Sequence, residues 1–188
     1  MRALSLVLPL LLLLTTACNS QTKVANGEAD TTTTTTVESQ ALSYRYAPPA
    51  TPGVVEPIDT TEAYWREILS PQAYEVLRED GTERSFTSPL NDEKRPGVFA
   101  CAACGLPLFA SSTKFNSGTG WPSFYEPIDP AYIKEDEDFR YGMRRVEVSC
   151  ARCDGHQGHV FPDGPDPTGL RYCINGVSLN FVPQADLK

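Results

Sequence analysis

No stretch of this chain is long enough to cross a bilayer as a helix. The longest apolar run, Leu4–Leu14, covers eleven residues, whereas a spanning helix needs about 20. Basic charge is also scarce: 16 Lys and Arg face 24 Asp and Glu, a formal net charge of −8, and no basic stripe offers a track for a phosphate backbone. Nucleic acid is therefore excluded as an expected partner. The chain holds two histidines, so any imidazole chemistry must come from His156 or His159. Internal repeats are missing too, apart from a paired Cys-x-x-Cys motif. A length of 188 residues suits one domain with a real core plus a tail, and a monomer is expected.

The short apolar run follows Met1-Arg2-Ala3 and ends at Thr15-Thr16-Ala17-Cys18, which reads as a signal peptide over residues 1–17 of an exported protein. Small residues directly before a cysteine resemble a bacterial lipoprotein cleavage box, although Thr15 stands where such boxes usually carry leucine. Lipidation of Cys18 would hang the domain from a membrane by acyl chains alone. Asn19 after the cysteine resembles an outer-membrane destination, so the expected location is the bacterial cell envelope, facing the periplasm. An ordinary secretion signal that happens to contain a cysteine is the alternative. Residues 18–58 carry Thr31–Thr36, Pro48-Pro49 and Pro52-Gly53 with few apolar side chains, and read as a flexible tether.

The folded domain is expected over 59–188. Trp65, Ile68 and Leu69 lie at helical spacing within Glu62–Leu69, and Ser70-Pro71 opens a second helix that Gly81 should end. Beyond it come short β-type runs at Val98–Ala100, Tyr141–Val148, His159–Phe161 and Tyr172–Phe181. The fold class is mainly β, antiparallel, with an N-terminal helical cover.

Cys101-Ala102-Ala103-Cys104-Gly105 and Cys150-Ala151-Arg152-Cys153-Asp154-Gly155 have the spacing of two metal knuckles. Each tight turn aims two thiolates at one ion, and two turns complete a tetrahedral Zn²⁺ shell. Four cysteine ligands leave no position open for water, so such a zinc is structural. Two local disulfides, or one thioredoxin-like redox pair, are the competing readings.

With these four and Cys18 set aside, Cys173 has no partner. Alternation along a strand puts Arg171, Cys173 and Asn175 on one face, combining a cation, a thiol and an amide. The guanidinium would favour a nucleophilic thiolate, and Asn175 could bond a substrate oxygen. His156 and His159 follow the second knuckle, which would fix them in space, and either can donate a proton near neutral pH. The glycine-rich segment Ser117–Phe124 delivers Trp121 and Phe124, either as core pins or as the wall of a small pocket.

Together these motifs resemble the B-type peptide-methionine (R)-S-oxide reductases. The resemblance runs from about Trp65 to Phe181 and includes Gly81-Thr82-Glu83, both knuckles, Lys114-Phe115, Ser117-Gly118-x-Gly120-Trp121-Pro122-Ser123-Phe124, His156-x-Gly158-His159-Val160-Phe161-x-Asp163-Gly164-Pro165 and Arg171-Tyr172-Cys173-Ile174-Asn175. It implies two antiparallel β-sheets and structural zinc on Cys101, Cys104, Cys150 and Cys153. It further implies Cys173 as the nucleophile, with Trp121, His156, His159 and Asn175 lining the pocket. Phe124 and Arg171 are added as substrate-binding candidates. The implied substrate is oxidised methionine in peptides or proteins, reduced through a Cys173 sulfenic acid. Family members that resolve this acid internally often carry cysteine where this chain has Thr119, so an external thioredoxin-like donor is expected here. Two other classes fit parts of the pattern: a zinc-ribbon-like peptide-binding module, and a cysteine hydrolase built on Cys173, His159 and Asn175.

Overall fold

The computed structural model describes residues 46–187. The signal peptide, Cys18 and residues 18–45 of the expected tether lie outside the described residues. Two short helices open the domain. In α1 (Glu62–Ile68) the Thr61 hydroxyl accepts the Tyr64 N–H, and in α2 (Pro71–Glu79) the Ser70 hydroxyl accepts the Ala73 N–H with proline in the first turn. The residue that ends α2 is Asp80, in a left-handed conformation (φ 54°), one position before the expected Gly81. Trp65, Tyr74 and Leu77 are the faces these helices bury.

Nine strands follow, in two antiparallel sheets. The smaller has the order β2 (Pro107–Ala110), β1 (Gly97–Cys101), β9 (Leu179–Pro183). The larger has the order β3 (Lys114–Phe115), β4 (Ser123–Phe124), β8 (Arg171–Ile174), β7 (His156–Phe161), β6 (Arg145–Cys150), β5 (Ile133–Asp138). Aromatic side chains join the sheets. Phe109 stacks on Phe124 at 4.5 Å between ring centres, Phe99 meets Phe124 edge-on at 5.0 Å, and Tyr172 closes on Phe109 at 5.7 Å. Phe124 is therefore a fully buried core residue and not a substrate contact, because its ring is enclosed between the two sheets.

Two further differences concern the strands. The run Tyr172–Phe181 is not one segment: β8 ends at Ile174, a 3-10 turn spans Gly176–Ser178, and β9 starts in the other sheet. Tyr141 lies outside β6, in a left-handed conformation (φ 58°) within the exposed connection from β5. Residues 46–58, expected to belong to the tether, are bonded to the domain. Ala47 N–H donates to the Gly105 carbonyl and Ile58 N–H to the Arg152 carbonyl, both at 2.7 Å, so this segment touches both knuckles.

Candidate active site and metal centre

The two knuckles are built alike. Cys101 ends β1 and Cys150 ends β6. After each, the chain turns so that Gly105 N–H bonds the Cys101 carbonyl at 2.8 Å and Asp154 N–H bonds the Cys150 carbonyl at 2.9 Å. Gly105 (φ 74°) and Asp154 (φ 56°) supply the left-handed residue that reverses each turn. All four sulfurs are buried and lie within 4.8 Å of one another. The contacts across the pair of knuckles are 3.7 Å for Cys101–Cys153 and 3.5 Å for Cys104–Cys150. A disulfide needs about 2.05 Å. All four are free thiols, and a tetrahedral thiolate shell of metal–sulfur length about 2.3 Å has edges near 3.8 Å, so the cross-knuckle spacing fits a metal ion. Gln157 Nε2 lies 3.5 Å from the Cys101 sulfur, a donor to one thiolate, and Arg78 ties α2 to the second knuckle through the Cys153 carbonyl at 2.7 Å.

Cys173 lies on the opposite face of β8 from the core residues Tyr172 and Ile174, half-buried. Register places it directly between Ser123 on β4 and His159 on β7, and His159 in turn faces Glu147 on β6. Directly opposed residues share a face, so Ser123, Cys173, His159 and Glu147 form one row across the sheet. A regular strand would send His156 to the other face, since it is three residues from His159. A bulge opposite Val148 and Ser149 removes the mismatch, pairs His156 with Ser149 and brings the two imidazoles to 5.4 Å between centres.

Each imidazole is held by a carboxylate. His156 Nδ1 lies 2.6 Å from Glu147 Oε1, and His159 Nε2 lies 2.8 Å from Asp138 Oδ2. His156 is the inner ring, 1% exposed. His159 is the outer one, with 12% of its side chain exposed. Asp138 also takes the Arg140 N–H and Nε on Oδ1, and Arg145 Nη2 on Oδ2 at 2.6 Å. Burial would push the Asp138 carboxyl up, but the Arg140 N–H, His159 and the Arg140 guanidinium outweigh it and hold the group well below the ordinary carboxylate range. His159 moves the other way. Burial lowers it below the usual imidazole value despite Asp138, so its resting form at neutral pH is uncharged.

The charge placed beside Cys173 differs from expectation. Arg171 shares the thiol's face, but its fork grips Asp163 through Nε and Nη2, both at 2.8 Å, over the Phe161 ring. With Nε and Nη2 engaged and the residue 9% exposed, Arg171 serves chiefly to anchor Asp163 beside the thiol's strand. It does not produce a resting thiolate. Burial raises the Cys173 thiol above its ordinary value, and the opposing pull of the Thr119 hydroxyl and the Arg171 charge is the smaller effect. Thr119 Oγ1 lies 3.9 Å from the sulfur and continues through Ser117 to Ser123 by two 2.8 Å hydroxyl contacts.

Asn175 is anchored on two sides. Its Oδ1 accepts the Glu83 N–H at 3.0 Å and its Nδ2 donates one hydrogen to the Gln157 carbonyl of β7 at 3.1 Å, so the buried amide is held in a fixed orientation. Glu83 is the hub that sequence reasoning left without a role. Its carboxylate takes the Gly176 and Val177 N–H groups, and its carbonyl takes Trp121 Nε1 at 3.1 Å. Trp121 is thereby fixed two residues from Thr119, whose hydroxyl faces the Cys173 sulfur. The support shell of Glu83, Asp138, Glu147 and Asp163 carries no local spacing signal, since each partner is brought up by strand pairing or loop closure.

The SelR domain family matches residues 69–183. The chain belongs to the SelR family, the B-type methionine sulfoxide reductases. Similar proteins include the peptide methionine sulfoxide reductases MsrB of Pseudomonas putida, 57% identical over 130 residues that cover 69% of this chain and 98% of the relative, and of Thiobacillus denitrificans, 58% identical over 124 residues, 66% and 94% of the two chains. The archaeal MsrB of Methanosarcina mazei is 54% identical over 129 residues, 69% and 92%. The knuckles and the Ser123–Cys173–His159–Glu147 row all fall inside the SelR segment, whereas residues 46–58 precede it.

Proposed function

We propose that this SelR-family domain reduces the (R)-epimer of methionine sulfoxide in polypeptides to methionine, with Cys173 as nucleophile and His159 as proton carrier. The observation that carries this reading is the register pairing of a half-buried, unpaired thiol with an imidazole whose far nitrogen is held by a buried carboxylate. A raised thiol and a lowered imidazole make the resting pair neutral on both sides. As the sulfoxide sulfur approaches, the Cys173 proton passes to His159 Nδ1, the ring nitrogen left over once Nε2 is bonded to Asp138. The thiolate so formed attacks sulfur, and the same proton goes on to the sulfoxide oxygen. Asp138 stabilises the transient imidazolium, as the carboxylate of a catalytic triad does. Methionine leaves, and the oxygen remains as Cys173 sulfenic acid.

Two external thiols then return the sulfenic acid to thiol, with loss of water and formation of one disulfide. Thr119, the hydroxyl nearest the sulfur, cannot form a disulfide, which supports an external thioredoxin-like donor. The four-cysteine cluster fits zinc, which would cross-link β1 and β6 without entering the reaction, because all four coordination positions are filled by sulfur. The leader sequence supports export and lipid attachment at Cys18, with the domain working in the cell envelope.

The test is reductant-dependent turnover of a peptide carrying methionine-(R)-sulfoxide beside its (S) counterpart. The (R) peptide is expected to be converted and the (S) peptide left intact; equal rates, or none, would overturn the assignment.

A further inference from the structure

Phe86 is 73% exposed, yet its backbone is held in a left-handed conformation (φ 64°) that bulky residues rarely adopt. Its N–H bonds the Gly120 carbonyl at 2.8 Å, and its ring lies so close over Gly120 that a Cβ there would come within 2.7 Å of Cδ2. Gly120 (φ 89°) stands between Thr119, which touches the Cys173 sulfur, and Trp121. A strained, exposed aromatic pinned to the residue that follows Thr119 points to a contact with something outside the protein.

Beside it runs a groove of about 520 Å³, lined among others by Phe86, Asn91, Lys114, Ser117 and Trp121, within the size range of ligand sites. Its floor is tied down. Asn91 Nδ2 donates to the Gly120 carbonyl at 2.9 Å, and Lys114 Nζ donates to the Asn91 carbonyl at 2.8 Å. The charges around it cancel, Asp92 and Glu93 against Lys94 and Lys114, so the groove selects neither an acidic nor a basic ligand. Ser117 of its lining contacts the Thr119 hydroxyl, which in turn lies 3.9 Å from the Cys173 sulfur.

We propose that this groove is a subsite for the uncharged polypeptide residues flanking an oxidised methionine, with the Phe86 ring as its apolar wall. The proposal rests on the reductase reading and adds to it the surface that would hold the residues beside the sulfoxide. The energetic logic is that of remote binding: contacts away from the sulfur hold the sulfoxide against Cys173.

The test compares kcat/KM for acetyl-methionine-(R)-sulfoxide amide with that for a neutral heptapeptide carrying the same sulfoxide between leucine and phenylalanine. Wild type, Phe86→Ala and Phe86→Gly are each assayed on both. Glycine accepts the positive φ, so Phe86→Gly removes the ring without straining the loop. The peptide-to-small-substrate ratio is expected to favour the peptide in wild type and to fall several-fold in both variants. A wild type without preference, or a ratio unchanged in Phe86→Gly, overturns the subsite. Failure of wild type to turn over either substrate overturns the reductase reading itself.

Discussion

The five cysteines of the described domain divide into two groups that share a chemistry and differ in setting. Cys101, Cys104, Cys150 and Cys153 are buried at two strand ends and the turns that follow them, with their sulfurs turned on one another. Cys173 is mid-strand and half-buried, and its neighbours are a hydroxyl, an imidazole and an ion pair. The first group has sulfur neighbours and no open approach. The second has proton carriers and an approach. A thiol's role is therefore set here by which groups surround it and whether a ligand can reach it, and not by a lowered thiol pKa, since burial raises Cys173 as well.

Four substitutions break or sharpen that contrast. Cys173→Ser should lower turnover by about 10³-fold or more while the domain keeps its metal and its melting temperature. Unchanged turnover would show that Cys173 is not the nucleophile. Cys101→Ser should act the opposite way, releasing the metal and lowering Tm by more than about 10 °C, because it opens a buried site that cross-links two sheets. Stoichiometric metal retained in that variant would rule out the four-sulfur shell.

Asp138→Asn should reduce kcat by about 10²-fold with KM nearly unchanged, since it alters the proton carrier and no substrate contact. The same variant has a stability signature. A carboxyl depressed in the folded state stabilises it above the unfolded value of about 3.9, and that contribution disappears as pH falls toward the lower folded value. Acid unfolding of the Asn variant should therefore start from a lower plateau and be shallower below pH about 4. The smallest effect is expected from Thr119→Cys. With the Thr119 hydroxyl 3.9 Å from the Cys173 sulfur, a cysteine there should trap oxidised Cys173 as an intramolecular disulfide, visible by mass spectrometry after one turnover without reductant. Persistence of the sulfenic acid in that variant would show that the loop cannot close.

The sequence exposed the cysteines because their signal is local. Two repeated spacings marked the knuckles, and subtraction left Cys173, which the structure places half-buried on the face of β8 opposite the core residues Tyr172 and Ile174. What stayed hidden was long-range. Strand β5 reads Ile-Lys-Glu-Asp-Glu-Asp, an edge strand held by backbone pairing with its middle four residues exposed, so no hydrophobic period announces it. Asp138 at its end reaches His159 only after β6 intervenes. Phe124 looked like a site aromatic because it shares a motif with Trp121. Strand alternation and the stack on Phe109 send it into the core instead. Asn175 and Arg171 belonged to the right neighbourhood, but the groups that anchor them, Glu83, Gln157 and Asp163, are distant in sequence or across a turn and leave no local spacing to read.

The position of β5 has a dynamic consequence. It is the outermost strand of the larger sheet on that side, and outer strands open at lower free energy than the strands they cover. Its last residue carries the carboxylate that orients His159, so fraying of one margin disarms the proton carrier while Cys173, on β8 three strands further in, keeps its place. Heat or mild denaturant should then silence turnover before the sheet unfolds, and restore it on return. Amide exchange along β5 is the gauge of how often that interruption occurs.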